Sequence, residues 1–279
     1  MSQNRLYRHY NEQIESFRQH FKSTIEWSEV EDIHQLRVAT KKIRALLTLM
    51  EIASCGRFRK KKHLKLLSKL FTNAGVLREI QVNRSILDEI ELHDGSIDEL
   101  CQSAIALYRE ELTKQGEWAI RRLIRELASF NWRKLNKLNR RLKKSINGLS
   151  TAKIIEESNL FITSQIETIH KLRSRPDNDR ELHKIRARLK SMAEIYRLNN
   201  TMVPDEMLQK KIGRLKRLEN RIGKWHDYTV LISSIEQFIK NGQGIRIIEP
   251  IKRVVEDIRG QNGMLRGEVI DRLEEIFAN

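Results

Sequence analysis

Apolar residues recur along nearly the whole chain at intervals of three and four, the spacing that gives a helix one buried stripe. In the segment opening at Val30, Leu36, Ile43, Leu47 and Met50 fall on one side of such a helix, with His34, Arg37, Lys41 and Arg44 on the other. Between residues 131 and 147, Leu135, Leu138, Leu142 and Ile146 oppose Arg133, Lys137, Arg140, Arg141 and Lys144. No sustained alternation of period two interrupts the pattern, and the only prolines are Pro176, Pro204 and Pro250. The pattern predicts an all-α chain, with helices near 4–27, 30–54, 60–73, 77–92, 97–128, 131–147, 151–173, 178–200, 204–222, 226–240, 246–259 and 262–278. The joins fall at Asp94-Gly95-Ser96, Asn147-Gly148, Pro176-Asp177-Asn178, Val203-Pro204-Asp205 and the Gly242/Gly244 pair, with Gly116 a further candidate break.

The polar stripe that starts at His34 occurs twice. His34, Arg37, Lys41 and Arg44 stand at offsets 0, +3, +7 and +10, which fall within an arc of about 80° on a helix. Lys42 adds a cation beside them. A second copy has His183, Arg186 and Lys190 at the same first three offsets. A further pair of blocks follows, Gly75 to Val82 and Gly223 to Val230, each with glycine first, an acid fifth (Glu79, Asp227) and valine eighth. The matched positions are separated by 148 or 149 residues throughout. The chain therefore reads as two related halves, 1–148 and 149–279, each with enough helices for an antiparallel bundle.

Charge sharpens this picture. Lysine and arginine total 53 against 37 acids, a formal net charge of +16, which favours anionic partners such as nucleic acid, a membrane surface or a chain of phosphates. The stripe of Arg133, Lys137, Arg140, Arg141 and Lys144 spans an arc of about 100° with no acid among its members. Such crowding repels unless an anion relieves it. The three stripes together point to an anion-lined surface.

Other classes are disfavoured. The two cysteines, Cys55 and Cys101, form no CxxC pair, which argues against a disulfide framework or a structural zinc site. The first residues, MSQNRLYRHY, contain no apolar signal-peptide core. No apolar run reaches the length of a membrane span. A cytoplasmic protein without metal or other cofactor is expected.

The repeat HQLRVATKKIR, its partner LHKIRARLK and the block IGKWHDYTVL together resemble the CHAD family, the conserved histidine α-helical domain, over essentially the whole chain. The resemblance implies two antiparallel four-helix bundles related by a pseudo-twofold axis, with a basic groove between them that binds inorganic polyphosphate. The family's first motif matches His34, Arg37, Lys41, Lys42 and Arg44; its second matches His183, Arg186 and Lys190. This chain departs from the second motif at Ala193-Glu194, where the family has an Arg-Tyr pair. Arg197, at +14 from His183, returns to the same arc and could supply the missing charge. Glu79 stands where the family's first half more often has aspartate, and is expected to fix a neighbouring arginine or cap a helix.

The residues suit that ligand. Arginines grip phosphate oxygens with two-pronged hydrogen bonds and lysines act as mobile charges. His34 and His183 can donate ring N–H groups, with binding tighter as pH falls from about 8 to 6. Removing Arg37 and Arg186 is expected to matter more than removing two of the basic residues at 57–62. The stripe of helix 131–147 is expected along the rim of the groove. Trp225 and Tyr228 are expected to pack between helices, and His9, His20, His63, His93 and His170 to lie on surfaces.

Polyphosphate granules or polyphosphate-metabolising enzymes would be indirect partners. Sequence-nonspecific nucleic-acid binding is the main competitor. It is disfavoured because the stripes carry no interleaved aromatics on which bases could stack. Catalysis is disfavoured because the stripes contain no carboxylate cluster for a metal and no acid placed to orient a nucleophilic histidine.

Overall fold

The computed structural model describes residues 2–93, 98–173, 179–241 and 248–277. Among them the chain forms nine α-helices and no strand: α1 (Ser2–Glu26), α2 (Val30–Ala53), α3 (Lys61–His93), α4 (Glu99–Ala128), α5 (Trp132–Asn147), α6 (Thr151–Arg173), α7 (Asp179–Met202), α8 (Glu206–Lys240) and α9 (Ile248–Phe277). The joins expected at Asp94-Gly95-Ser96, at Pro176-Asp177-Asn178 and at Gly242/Gly244 lie outside the described residues, as does the first residue of the helix expected at 97–128.

Three expected breaks are absent. Within the described residues, 61–73 and 77–92 lie in one helix, α3; 206–222 and 226–240 in α8; 248–259 and 262–277 in α9. A glycine stands at each of these positions, Gly75, Gly223 and Gly260. A glycine inside a helix costs only about 1 kcal/mol relative to alanine, and burial of the flanking apolar residues outweighs it. Gly116 likewise leaves α4 unbroken.

Ends are set by short polar side chains. The Asn131 amide oxygen accepts from the Lys134 N–H at 2.9 Å at the start of α5, and Asp205 accepts from the Leu208 N–H at 2.6 Å at the start of α8. Between α2 and α3 the backbone turns through Cys55 and Gly56, at φ 49° and 79°. Glu51 secures that turn, accepting from the Lys60 N–H at 3.0 Å.

The chain divides into two compact units, one of Met1–Gly75 with Arg122–Arg217, the other of Val76–Arg121 with Leu218–Asn279. Sequence duplication and compact units thus divide the chain differently, because each unit takes residues from both sides of Gly148. In the first unit, α1 packs on α2, α2 on α6, α6 on α7 and α7 back on α1. These four helices close a ring to which each half of the duplication contributes two. The ring is apolar inside, with Leu36, Ile43, Leu47, Ile154, Ile185 and Leu189 each at most 1% exposed. A buried polar link joins α7 to α6 within it, the Asn199 amide donating to Ser158 Oγ at 2.8 Å.

α5 rests on α1 and α2. An aromatic cluster seats its first turn, with the Phe21 ring centroid 4.7 Å from Trp132 and the Phe17 centroid 5.6 Å from Phe130.

In the second unit, Trp225 is 1% and Tyr228 4% exposed, so both pack inside as expected. Tyr108 is also buried, 1% exposed, and donates to Ser234 Oγ at 2.8 Å.

A candidate anion-binding surface

All fourteen residues singled out by the sequence fall in the first unit. Their surroundings differ. From Asp32 to Ser54 every residue is buried or half-buried, so the stripe of His34, Arg37, Lys41, Lys42 and Arg44 is partly covered, although the Lys41 side chain remains 41% exposed. Burial is supplied partly by α3. The Arg37 guanidinium lies 4.2 Å from the Phe71 ring centroid and donates to the Phe71 carbonyl at 3.0 Å. Arg44 sits 4.3 Å from the same centroid. One turn beyond Phe71 is Gly75, where a Cβ would stand 3.1 Å from Arg37 Nη1. The first glycine of the matched blocks therefore leaves room for an arginine of the stripe.

On α7, His183, Arg186, Lys190 and Arg197 are also half-buried. Glu194 connects them to α2: its Oε1 lies 3.1 Å from Lys41 Nζ and 2.7 Å from Arg197 Nη1. Arg197 thus comes beside the α2 stripe, but with an acid already between them. Burial holds the His183 imidazole below its ordinary value; Asp179 opposes that shift and Arg186 adds to it. Asp32, which precedes His34, is engaged elsewhere, 2.8 Å from His20 Nδ1.

The α5 stripe has a different character. Leu135, Leu138, Leu142 and Ile146 are at most 1% exposed, while Arg133, Lys137, Arg140, Arg141 and Lys144 all face solvent. Two clefts flank the stripe. One, of about 570 Å³, has Lys62, His63, Lys65 and Lys69 on the α3 side and Lys134, Lys137 and Arg141 on the α5 side; Glu126 is its one acid. The other, of about 500 Å³, adds Arg57, Arg59 and Lys144 and has no acid in its lining. Arg133 and Arg140 line neither. The structure thus joins the α2 stripe to α7, and the α5 stripe to residues 57–69.

The family model described as CHAD domain matches residues 8–236. The chain belongs to the CHAD family. Among solved structures it is similar to the crystal structure of the CHAD domain from the plant Ricinus communis, with 15% identity, a TM-score of 0.66, and coverage of 99% of this chain and 91% of that one. At such identity the likeness speaks for the fold. No curated protein matches.

Seen as a CHAD chain, the departure at Ala193-Glu194 has a structural counterpart. Ala193, at the position where the resemblance implies a further cation, is fully buried, and Glu194 beside it pairs with both Lys41 and Arg197. Glu79 is not a helix cap, since it lies well inside α3. Partial desolvation and then the Asp227 carboxylate hold it above its ordinary value.

Two histidines expected on surfaces belong to the cationic region. Burial lowers His9, which feels Glu12, Lys42 and Glu194, and His63 lines both clefts beside α5. Neither has a repeat partner, so only tertiary placement reveals them. The basic run at 57–62 was visible as charge, but its partnership with α5 was not. Among the described residues no group of three or more His, Cys, Asp or Glu is placed to hold a metal ion, and no helix is long and apolar enough to cross a membrane.

Proposed function

We propose that this CHAD chain binds inorganic polyphosphate on its first unit and performs no chemistry on it. The observation that carries this is the pairing of the duplicated motif: α2 and α7, each bearing a His-x-x-Arg-x-x-x-Lys stripe, pack directly against one another in the four-helix ring. Duplication of a phosphate-gripping face on two touching helices offers a repeating ligand repeated points of attachment. Membership of the CHAD family, commonly linked to polyphosphate, supports the same ligand. Arg186, Lys190, Lys42 and His34 would meet phosphate oxygens, with α5 supplying solvent-facing cations that are in no ion pair among the described residues. Polyphosphate granules and polyphosphate-metabolising enzymes are the partners to which such binding would tether the protein.

Absence of catalysis is part of the proposal. Of the acids near the stripes, Glu194 is held between Lys41 and Arg197 and Asp32 by His20, while Asp179 acts on His183 by its charge. Glu194 and Asp32 are therefore not free to orient a histidine nucleophile or to help hold a metal.

Calorimetric titration with polyphosphate, single-stranded DNA and heparin at physiological ionic strength tests the ligand. Polyphosphate is expected to bind tightest and to displace DNA at low concentration. Displacement of polyphosphate by equimolar DNA would favour a nucleic-acid binder. The same titration at pH 8 and pH 6 tests the histidines. His183 starts below 6.5, and a polyanion raises it, so binding takes up a proton. Affinity should therefore rise as pH falls through the interval between the bound and free values, and His183→Gln should flatten the profile.

A further inference from the structure

The two clefts beside α5 share three residues, Lys62, His63 and Arg141. They therefore form one trough, which follows α5 from Lys134 to Lys144 over a length of about 15 Å. Four features distinguish it from an ordinary solvated face. Among the described residues, Lys62, Lys65, Lys137, Arg141 and Lys144 are in no ion pair, whereas the α2–α7 stripe carries Glu194 within it. The one acid of the trough, Glu126, lies at 3.7 Å from Lys69. The α2–α3 turn that carries Arg57 and Arg59 is fixed at both ends, by Glu51 on Lys60 and by the Phe58 N–H donating to Ser54 Oγ at 2.8 Å. Finally, the His63 ring stacks on buried Phe58, with centroids 5.1 Å apart and planes inclined by 24°.

We propose that this trough, between residues 57–69 and α5, is a second binding tract for a linear phosphate polyanion, distinct from the α2–α7 stripes. The assignment rests on the polyphosphate reading and extends it to residues outside the duplicated motif. Length favours a chain over a single phosphate, because one phosphate would reach only part of the cations. Chemistry favours phosphates without bases: besides the His63 imidazole, the aromatic rings in the lining are Phe58, which is 8% exposed and covered by His63, and Phe130, which is half-buried against Trp132. The lining thus holds many cations and no row of open rings on which successive bases could stack.

His63 gives the tract its pH response. Burial lowers its affinity for a proton, and the charges of Arg141 and then Lys62 act in the same direction. From α3 it also faces Lys65, from the turn Arg57 and Arg59, and from α5 Lys137 and Lys144; Glu126 of α4 is the only opposing charge in the lining. A bound polyanion reverses that balance, so His63 takes up a proton as the chain docks.

The test uses the full chain and long-chain polyphosphate, with affinity and proton uptake measured by calorimetry near pH 6.5 in buffers of different ionisation enthalpy. Lys62→Ala with Arg141→Ala, both exposed and therefore compatible with folding, is expected to weaken long-chain binding about tenfold or more. His63→Gln should reduce proton uptake while leaving affinity at pH 8 within about twofold. The comparison variant is Arg37→Ala with Arg186→Ala. If that pair loses affinity while Lys62→Ala/Arg141→Ala binds like wild type, polyphosphate binding stands and the second tract is wrong. Equal competition by orthophosphate at matched phosphate concentration would also overturn the tract, leaving a site for single anions. Failure of wild type to bind polyphosphate would instead sink the functional reading on which both rest.

Discussion

Raising the salt concentration from about 50 to about 200 mM is expected to weaken polyphosphate binding by roughly two to three orders of magnitude if about six cations engage the ligand. The cause is counterion release. A phosphate chain holds condensed cations, and each lysine or arginine that replaces one returns it to bulk solution. The expectation follows from the solvent-facing α5 stripe, whose five cations lack acid partners among the described residues. Lys41 and Arg197 contribute less, since they share Glu194 as a partner. A plot of log affinity against log salt should therefore be steep and linear. A slope near zero would mean recognition by neutral hydrogen bonding, which these residues do not provide.

The second large effect concerns packing far from any ligand. Phe17 is fully buried and touches Phe21, Phe130 and Trp132 where α1 receives the start of α5. Phe17→Ala removes the centre of that cluster and is expected to cost about 3–5 kcal/mol. For a chain of this size the loss lowers Tm by about 10 °C. The consequence for function is positional, because the cluster and the bond between Tyr10 and Asn139 hold α5 against α1. Saturating polyphosphate should restore about 2.7 kcal/mol at one hundred times Kd. Thermal unfolding with and without ligand measures both. A Tm unchanged by the substitution would show that α5 is held by other means.

Much of this architecture is legible in the amino-acid order, and the reasons are local. The α2 and α5 stripes are visible because a period of 3.6 sorts Leu36, Ile43, Leu135 and Leu142 away from the cations beside them, and those leucines and isoleucines are the buried ones. The duplication is visible because His34 and His183 keep their spacing to later blocks. Continuity of α3, α8 and α9 was hidden by glycines that look like punctuation. At Gly75 the missing side chain serves Arg37 instead of a turn. The ring of α1, α2, α6 and α7 was hidden for another reason: periodicity states which face is buried, not which helix buries it. The same limit concealed Glu194 between Lys41 and Arg197, the stacking of Arg37 and Arg44 on Phe71, and the place of His63 between two clefts. Each depends on residues far apart in the chain.

The central claim is that one compact unit, carrying the duplicated stripes and α5, receives the phosphate chain. Lysine acetylation footprinting of the protein with and without long-chain polyphosphate tests it most directly. Lys42, Lys137, Lys144 and Lys190 are expected to be protected by the ligand, while Lys114, Lys240 and Lys252, exposed in the second unit, react as before. Uniform protection of both sets, or protection confined to Lys114, Lys240 and Lys252, would contradict it.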